Sequence, residues 1–186
     1  MIQVDIPASV RTVFGKGSMR RLRMDKKTPA VVYSKGEDAL ALQFDEKKLY
    51  NDLLFIHGRN AVVTLNVEGD TKEKRYAMIQ EIQKDPVVEQ VKHVDFLEID
   101  LDKVIDLSVS LRLTGVAKGV DVGGELSVPK KTVLLRGCPL DIPDEIVADI
   151  TALERGGEGL HCADLETPEN VEMLDDPASV CAVVIN

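Results

Sequence analysis

Residues 11–35 concentrate side chains that can bind phosphate. They hold eight basic residues against one acidic residue, a net charge of +7 within 25 residues of a chain whose formal charge is −9. The basic residues are Arg11, Lys16, Arg20, Arg21, Arg23, Lys26, Lys27 and Lys35. Four are arginines, whose planar guanidinium groups can donate two hydrogen bonds at once to a phosphate or a base edge. The segment favours a nucleic-acid surface, and a basic face that is only solvated is the alternative interpretation.

Within this segment the sequence GKGSMRRLR, residues 15–23, predicts a loop followed by a helix. We expect the helix to begin after Ser18, which is a good N-cap residue. Basic residues then share one helix face and apolar residues lie on another, where they can pack on the protein. The first face holds Arg20, Arg23 and Lys27, and the second holds Met19 and Leu22. The two glycines let the backbone approach a ligand, and the free N–H groups of the first turn favour an anion.

The charge divides unequally between the two halves of the chain. Residues 1–100 hold 16 Lys and Arg residues and 16 Asp and Glu residues, whereas residues 101–186 hold 7 and 16. All of the excess negative charge therefore lies in the second half. We place a domain boundary near residues 98–102 and predict two domains, residues 1–98 and residues 99–186.

Short alternating or β-branched runs between Gly, Pro and Asp turns predict a mainly β fold with a few helices (α+β) in the first half. The expected strands are residues 2–13, 30–34, 39–44, 61–67, 74–82 and 93–100. Gly69 and Asp70 predict the turn of a hairpin between two of these strands. The second half is expected to be β-rich as well, with a strand in residues 104–113, a glycine-rich loop in residues 115–124 and a closing strand near residues 179–185.

A second helix interrupts the predicted strands of the first half. It should begin after Asp45, since aspartate is a favoured N-cap residue. Leu49, Leu53 and Leu54 are expected on one side of this helix, where they can pack against the sheet.

Motifs of the common enzyme classes are absent from the sequence. There is no nucleotide-binding P-loop, no nucleophile elbow and no HExxH zinc motif. The three histidines are dispersed, and the three cysteines form no C-x-x-C pair, so we interpret the cysteines as reduced packing residues. We expect no catalysis, no metal and no cofactor.

No apolar run approaches the roughly 18 residues that a membrane helix needs, and the N-terminus lacks the pattern of a signal peptide. We therefore expect a cytoplasmic protein without a membrane contact. Patterns of the helix-turn-helix, zinc-finger, basic-zipper and RRM classes are also absent, so generic motifs do not separate DNA from RNA. A small β structure with a basic edge fits structured RNA recognised by its shape, and we expect no binding to DNA.

Two blocks of the first half resemble a known family. They are SVRTVFGKGSMRRLRMDKKTPAVVYSKG, residues 9–36, and MIQEIQKDPVVEQVKHVDF, residues 78–96. Both blocks and their spacing look like the bacterial large-subunit ribosomal protein family number twenty-five, which binds 5S rRNA. The second half, with RLTGVAKGVDVGGELSV and LHCADLETPENVEML, is similar to the C-terminal domain of the long form of that family, the CTC or general-stress-protein branch.

The resemblance implies an N-terminal six-stranded β-barrel that clasps 5S rRNA around its internal loop E, largely through the minor groove. It also implies a monomer off the ribosome, with neighbouring large-subunit ribosomal proteins as further partners. Carried over by position, the RNA-binding residues are Arg11, Lys16, Ser18, Arg20, Arg21, Arg23, Tyr33, Gln83, His93 and Asp95. Where the family often has glycine and histidine, this chain has Ser34 and Asp85, and the aspartate weakens the expectation that its loop touches phosphate.

Several of these residues have a structural interpretation as well. His93 and Asp95 are two apart on a strand and share a face, so they could form a hydrogen-bonded pair without RNA. Tyr33 could belong to the barrel core, and Gln83 could hold the loop that contains Pro86. The alternative function is an off-ribosome stress-response or tRNA-interaction module that uses the same barrel.

Overall fold

The computed structural model describes residues 1–34, 36, 38–72, 74–88 and 90–185. The chain divides into two compact units, one of Ile2–Leu101 and one of Asp102–Asn186 together with Met1. Both units are mainly β, with few helices, which confirms the predicted fold class. Among the described residues, no helix is long and apolar enough to cross a membrane.

The first unit is a closed six-stranded barrel with two helices. In chain order its elements are β1 (Ile2–Val10), α1 (Lys16–Met24), β2 (Lys27–Tyr33), β3 (Leu40–Asp45), α2 (Glu46–Ile56), β4 (Ala61–Glu68), β5 (Arg75–Lys84) and β6 (Val91–Glu98). The strand order around the barrel is β1-β3-β2-β6-β5-β4. β1 is parallel to β4 and β2 is parallel to β6, whereas the other pairs are antiparallel. Each of the six predicted strands is present, and the expected hairpin joins β4 to β5.

Alternation along the strands fills the barrel interior and leaves the other side chains outside. On β6, Val94 and Phe96 are fully buried, whereas His93 and Asp95 alternate with them and are half-exposed. The rings of Phe44 and Phe96 pack with their centroids 5.5 Å apart. Because successive residues of a strand face opposite sides of the sheet, this register determines which side chains can meet a ligand.

Helix α2 begins where the sequence predicts. The Asp45 carboxylate accepts a hydrogen bond from the backbone N–H of Lys48 at 3.0 Å and caps the first turn. Leu49 and Leu53 are buried in the barrel core, but Leu54 is half-exposed. The expectation that Leu54 shares their side was wrong, because successive helix residues point about 100° apart.

Helix α1 begins earlier than predicted. Its N-cap is Gly15, whose carbonyl accepts the first helical hydrogen bond from Met19 N–H at 3.1 Å. Gly15 has φ 94° and ψ 160°, a conformation that is essentially restricted to glycine. The expectation that the helix starts after Ser18 was wrong, because the preceding glycine turns the chain into the helix three residues sooner. Ser18 and Gly17 therefore lie in the first turn and not in a loop.

Helix α1 ends before Lys27, which was predicted to lie on its basic face. Lys26 has a left-handed φ of 58°, and its N–H donates to the Arg23 carbonyl at 3.1 Å. The chain then enters β2 at Lys27. The expectation that Lys27 shares a helix face with Arg20 and Arg23 was wrong, because the left-handed residue ends the helix before that turn is complete.

The second unit contains two small sheets. Its elements are β7 (Ile105–Thr114), α3 (Lys118–Asp121), β8 (Glu125–Ser127), β9 (Thr132–Gly137), β10 (Glu145–Asp149), β11 (Leu160–His161), a 3₁₀ turn (Cys162–Asp164), β12 (Glu172–Met173) and β13 (Val180–Ile185). The strand orders are β10-β7-β9-β12 and β11-β13-β8. Cys162 and Cys181 are fully buried free thiols with their Sγ atoms 3.3 Å apart, and Cys138 is half-buried. Burial raises the pKa of Cys181 to about 12, which suits a packing role.

Candidate nucleic-acid interface

The solvent-facing side of α1 is strongly basic. Lys16, Arg20 and Arg21 are exposed, whereas Met19 and Leu22 are half-buried, as expected for an apolar side that packs on the barrel. The first turn has no acidic residue and the last turn holds two arginines. Cations in the last turn are favoured by the helix dipole, so the arginines also stabilise the helix. Lys35, the last basic residue of the segment, lies outside the described residues.

Arg23 joins α1 to strand β6. Its Nε and Nη2 atoms donate hydrogen bonds to the Lys92 carbonyl at 3.3 and 3.2 Å. Lys92 directly precedes His93, so the C-terminal end of α1 lies beside the outer residues of β6. The predicted basic helix and the predicted polar strand are therefore adjacent parts of one surface.

Two backbone carbonyls and an aromatic ring hold the Arg11 side chain against the protein. Its Nε donates to the Leu42 carbonyl at 3.4 Å and its Nη1 to the Val13 carbonyl at 3.0 Å. The guanidinium carbon lies 5.0 Å from the centre of the Phe14 ring, a cation–π distance. Partial burial lowers the pKa of Arg11 from its ordinary value. Arg11 thus orients the connection between β1 and α1, in addition to any contact with a ligand.

A shallow cleft of about 280 Å³ separates the end of β1 from α1. Its lining includes Arg11, Ser18, Arg21, Asp25 and Gln43, together with apolar side chains of both elements. Ser18 therefore contributes to this cleft instead of capping the helix. Arg21 is the one residue of the exposed basic side of α1 in this lining.

Four polar side chains form a block on the outside of β5 and β6, which we call the polar face: Glu81, Gln83, His93 and Asp95. In the antiparallel register Glu81 lies opposite Asp95 and Gln83 lies opposite His93. The Asp95 Oδ1 and His93 Nδ1 atoms are 2.5 Å apart. The Gln83 amide nitrogen donates to a Glu81 carboxylate oxygen at 3.1 Å. The structural pairing of His93 and Asp95 is present, and it holds both side chains on the surface.

Tyr33 lies at the end of β2, next to β6. It is paired with Leu97 in the parallel register, and Val31 is paired with Asp95. Val32 is fully buried whereas Tyr33 is half-buried, so the tyrosine belongs to the outer side and not to the barrel core. Its position extends the polar face across a third strand.

Asp85 serves the turn between β5 and β6. Its carboxylate lies 2.7 Å from the Lys92 ammonium and accepts hydrogen bonds from the N–H groups of Val87 and Val88. These contacts lower the pKa of Asp85 to about 2, and the hydrogen bond from Lys92 is the largest cause. The Asp85 carboxylate therefore stabilises the turn between β5 and β6. The contact of Gln83 is instead with Glu81 on its own strand, as described above.

Each of the two units matches a known protein family. The Ribosomal L25p family matches residues 6–96, and the C-terminal domain of ribosomal protein TL5 matches residues 104–186. The large ribosomal subunit protein bL25 of Desulfotalea psychrophila is 46% identical over 185 residues, which cover 100% of both chains. The chain belongs to the bL25 family.

Two further bL25 proteins support this assignment. The protein of Syntrophomonas wolfei is 35% identical over 185 residues, covering 100% of this chain and 87% of the relative. The protein of Bacillus pumilus is 35% identical over 180 residues, covering 97% of this chain and 84% of the relative. The family resemblance inferred from the two sequence blocks is confirmed, including its long form with a second domain.

Sequence reasoning missed one member of the bL25 polar face. Glu81 lies two residues before Gln83 and shares its side of β5, and its carboxylate is hydrogen-bonded to the Gln83 amide. The period-two pattern of a strand could have placed Glu81 there.

Proposed function

We propose that this protein is a non-catalytic structural component of the bacterial large ribosomal subunit and binds 5S rRNA through its barrel. The RNA-binding surface consists of α1 and the polar face, and the internal loop E region of 5S rRNA is its target. One observation carries the proposal. Arg23 donates hydrogen bonds to the Lys92 carbonyl and so holds the basic helix α1 beside the polar face.

The two parts of this surface suit different parts of an RNA helix. Exposed arginines on α1 are suited to phosphates, which lie along the edges of a groove. The polar face carries carboxylates that repel phosphates, so it is suited to base edges and 2′-hydroxyls inside a groove. In A-form RNA the minor groove is wide and shallow and presents both of these groups.

The second unit is expected to contribute little to RNA affinity. Residues 101–186 carry 7 basic and 16 acidic residues, which makes contact with a phosphate backbone unfavourable over most of the unit. We assign it to contacts with neighbouring ribosomal proteins. The domain division is thus also a functional one, between an RNA-binding barrel and an acidic unit.

Titration of purified 5S rRNA at several salt concentrations tests the proposal. If the five basic residues Arg11, Lys16, Arg20, Arg21 and Arg23 all meet phosphates, log affinity should fall against log salt with a slope of about −4. A matched titration with tRNA is the control, because the off-ribosome alternative requires comparable affinity for tRNA. Weak or salt-independent binding to 5S rRNA would refute the proposal, as would sedimentation of the cellular protein away from the large subunit.

A further inference from the structure

We infer that Glu81 is a positioning residue for RNA recognition: it fixes the Gln83 amide so that the polar face selects hydrogen-bond donors, above all the 2-amino group of guanine. This inference rests on the proposed function and deepens it by naming the chemical group that the surface selects. Glu81 contacts Gln83, and the contact with RNA is made by Gln83 and its neighbours.

The orientation of the Gln83 amide follows from chemistry as well as from distance. A carboxylate only accepts hydrogen bonds, so the group of Gln83 that lies 3.1 Å from Glu81 must be its NH₂. With the amide nitrogen held there, Gln83 offers its carbonyl oxygen to a ligand. Without Glu81, the amide could turn and offer its NH₂ instead.

The facing strand repeats this arrangement. Asp95 lies 2.5 Å from His93 Nδ1, and since the carboxylate accepts, this ring nitrogen carries the proton. The register places Glu81 opposite Asp95 and Gln83 opposite His93, so two carboxylates orient two neighbouring side chains in the same sense.

The result is a surface that presents mainly acceptors. Gln83 offers its carbonyl oxygen, and each of the two carboxylates has a second oxygen. In a minor groove the donors are the guanine 2-amino group and the 2′-hydroxyls, while the other base atoms there are acceptors. An acceptor surface therefore distinguishes guanine from other bases, and the adjacent arginines of α1 offset the repulsion between its carboxylates and the phosphates.

The contact between Glu81 and Gln83 joins two side chains that water could also solvate separately. Both residues are exposed on β5, where each side chain could remain hydrated and mobile. The contact restricts two long side chains and does so directly beside the half-buried His93–Asp95 pair. The register of β5 and β6 makes the four polar groups neighbours, so one ligand can contact them together.

Inosine substitution provides the test, because inosine lacks only the 2-amino group of guanosine. The full-length protein is titrated with 5S rRNA and with a set of 5S rRNAs in which one guanosine of the loop E region at a time is inosine. Wild-type protein should lose about five- to tenfold in affinity at one or more positions. Glu81→Met, which keeps the side-chain length and removes the acceptor, should bind guanosine RNA about as weakly as inosine RNA at those positions.

Two further variants separate positioning from charge. Combining Glu81→Gln with Gln83→Glu places an amide donor at the first position and a carboxylate acceptor at the second, so it should retain the preference for guanosine. Asp5 is exposed on β1, across the barrel from β6. Asp5→Asn therefore removes one negative charge away from the polar face and should leave the preference for guanosine unchanged. Circular dichroism and urea unfolding check that each variant is folded.

The outcomes distinguish this inference from the proposed function. If wild-type protein binds 5S rRNA with equal affinity for guanosine and inosine at every position, the inference is overturned and the proposed function stands. If Glu81→Met keeps the full preference, or the exchanged pair loses it, the positioning role of Glu81 is refuted. If wild-type protein does not bind 5S rRNA, the proposed function itself fails.

Discussion

At the scale of single residues, the arginines of the basic segment differ in whether their side chains already make hydrogen bonds within the protein. Arg20 and Arg21 are exposed on α1. Arg11 and Arg23 donate to backbone carbonyls and hold the connection before α1 and the end of α1 in place. Their substitution should therefore affect both folding and binding, whereas substitution of the exposed arginines should affect binding alone.

The pair Arg20→Ala and Arg23→Ala tests this difference. Because Arg20 is assigned to a phosphate, Arg20→Ala should weaken 5S rRNA binding and reduce the slope of log affinity against log salt by about 1. It should leave the free energy of unfolding within about 0.5 kcal/mol of wild type, since surface substitutions usually do. Arg23→Ala should weaken binding and also lower the free energy of unfolding by about 0.5–1.5 kcal/mol, because the hydrogen bonds to Lys92 are lost.

Fluorescence anisotropy measures the binding loss, and urea unfolding measures the stability. The barrel can be followed by itself because the chain has no tryptophan and its three tyrosines all lie in residues 1–101. Wild-type affinity in the double variant Arg20→Ala/Arg23→Ala would refute the assignment of α1 to the RNA surface.

At the scale of elements, α1 is positioned by its first residues. Gly15 has φ 94° and ψ 160°, whereas Gly17 lies within the helix without a positive φ. A Cβ at either position would meet no other atom within 4 Å, so the two sites differ in backbone conformation and not in space. They therefore form a matched pair.

Alanine substitution at these two glycines should have opposite effects. Gly15→Ala should lower the free energy of unfolding by about 1–3 kcal/mol, because a side chain is strained in that conformation. Gly17→Ala should raise it by about 0.5–1 kcal/mol, because alanine has less freedom to lose on folding. Urea unfolding followed by tyrosine fluorescence measures both, and equal effects would mean that Gly15 is not the N-cap of α1.

The hairpin between β4 and β5 depends on a nearly buried ion pair. Arg75 Nε lies 2.5 Å from the Asp70 carboxylate, and Arg75 Nη1 lies 2.7 Å from Glu98 on β6. The hydrogen bond from Arg75 is the main reason that the pKa of Asp70 falls to about 2 from an ordinary value of 3.8. The pair therefore connects the turn to β6 and makes the barrel sensitive to acid.

Acid titration of stability tests this connection. Since the folded pKa of Asp70 is depressed, its contribution is present above about pH 4 and is lost as the pH falls toward about 2. The loss should be on the order of 1–2 kcal/mol after allowance for solvent screening. Asp70→Asn should remove this part of the pH dependence in urea unfolding between pH 2 and pH 6. Asp5→Asn, whose carboxylate is exposed, is the control and should keep the wild-type slope.

At the scale of the whole molecule, the net charge of −9 is the sum of two unlike units. Residues 1–100 are neutral overall and contain the basic segment, and residues 101–186 carry the entire excess of acid. The candidate RNA surface draws on α1, β2, β5 and β6, which all belong to the first unit. The acidic unit should act on RNA binding only through its long-range charge.

A fragment of residues 1–101 should therefore bind 5S rRNA about as tightly as the full chain at physiological salt. At low salt the fragment should bind more tightly, because the repulsion from the acidic unit is then poorly screened, over a Debye length of about 30 Å at 0.01 M. Gel shifts of fragment and full chain at several salt concentrations measure the difference. A large loss of affinity in a folded fragment would show that the second unit contributes contacts of its own.

The sequence by itself determined the features that depend on near neighbours. Alternation located the strands, the Gly69-Asp70 turn located the hairpin, and Asp45 located the start of α2. The count of charged residues separated the basic segment from the acidic half. Each of these signals is local, because strand alternation, turn conformation and capping depend on residues only a few positions apart.

The tertiary structure alone decided how the site is assembled. Arg23 meets Lys92 across 69 positions of sequence, and Glu81 lies opposite Asp95, because β2 pairs with β6 and β6 with β5 in one particular register. Alternation predicts that a strand has two faces but not which strand becomes its neighbour or in what register. The surface that combines a basic helix with a polar face is therefore a product of barrel closure, while the residues that supply its chemistry are already evident in the sequence.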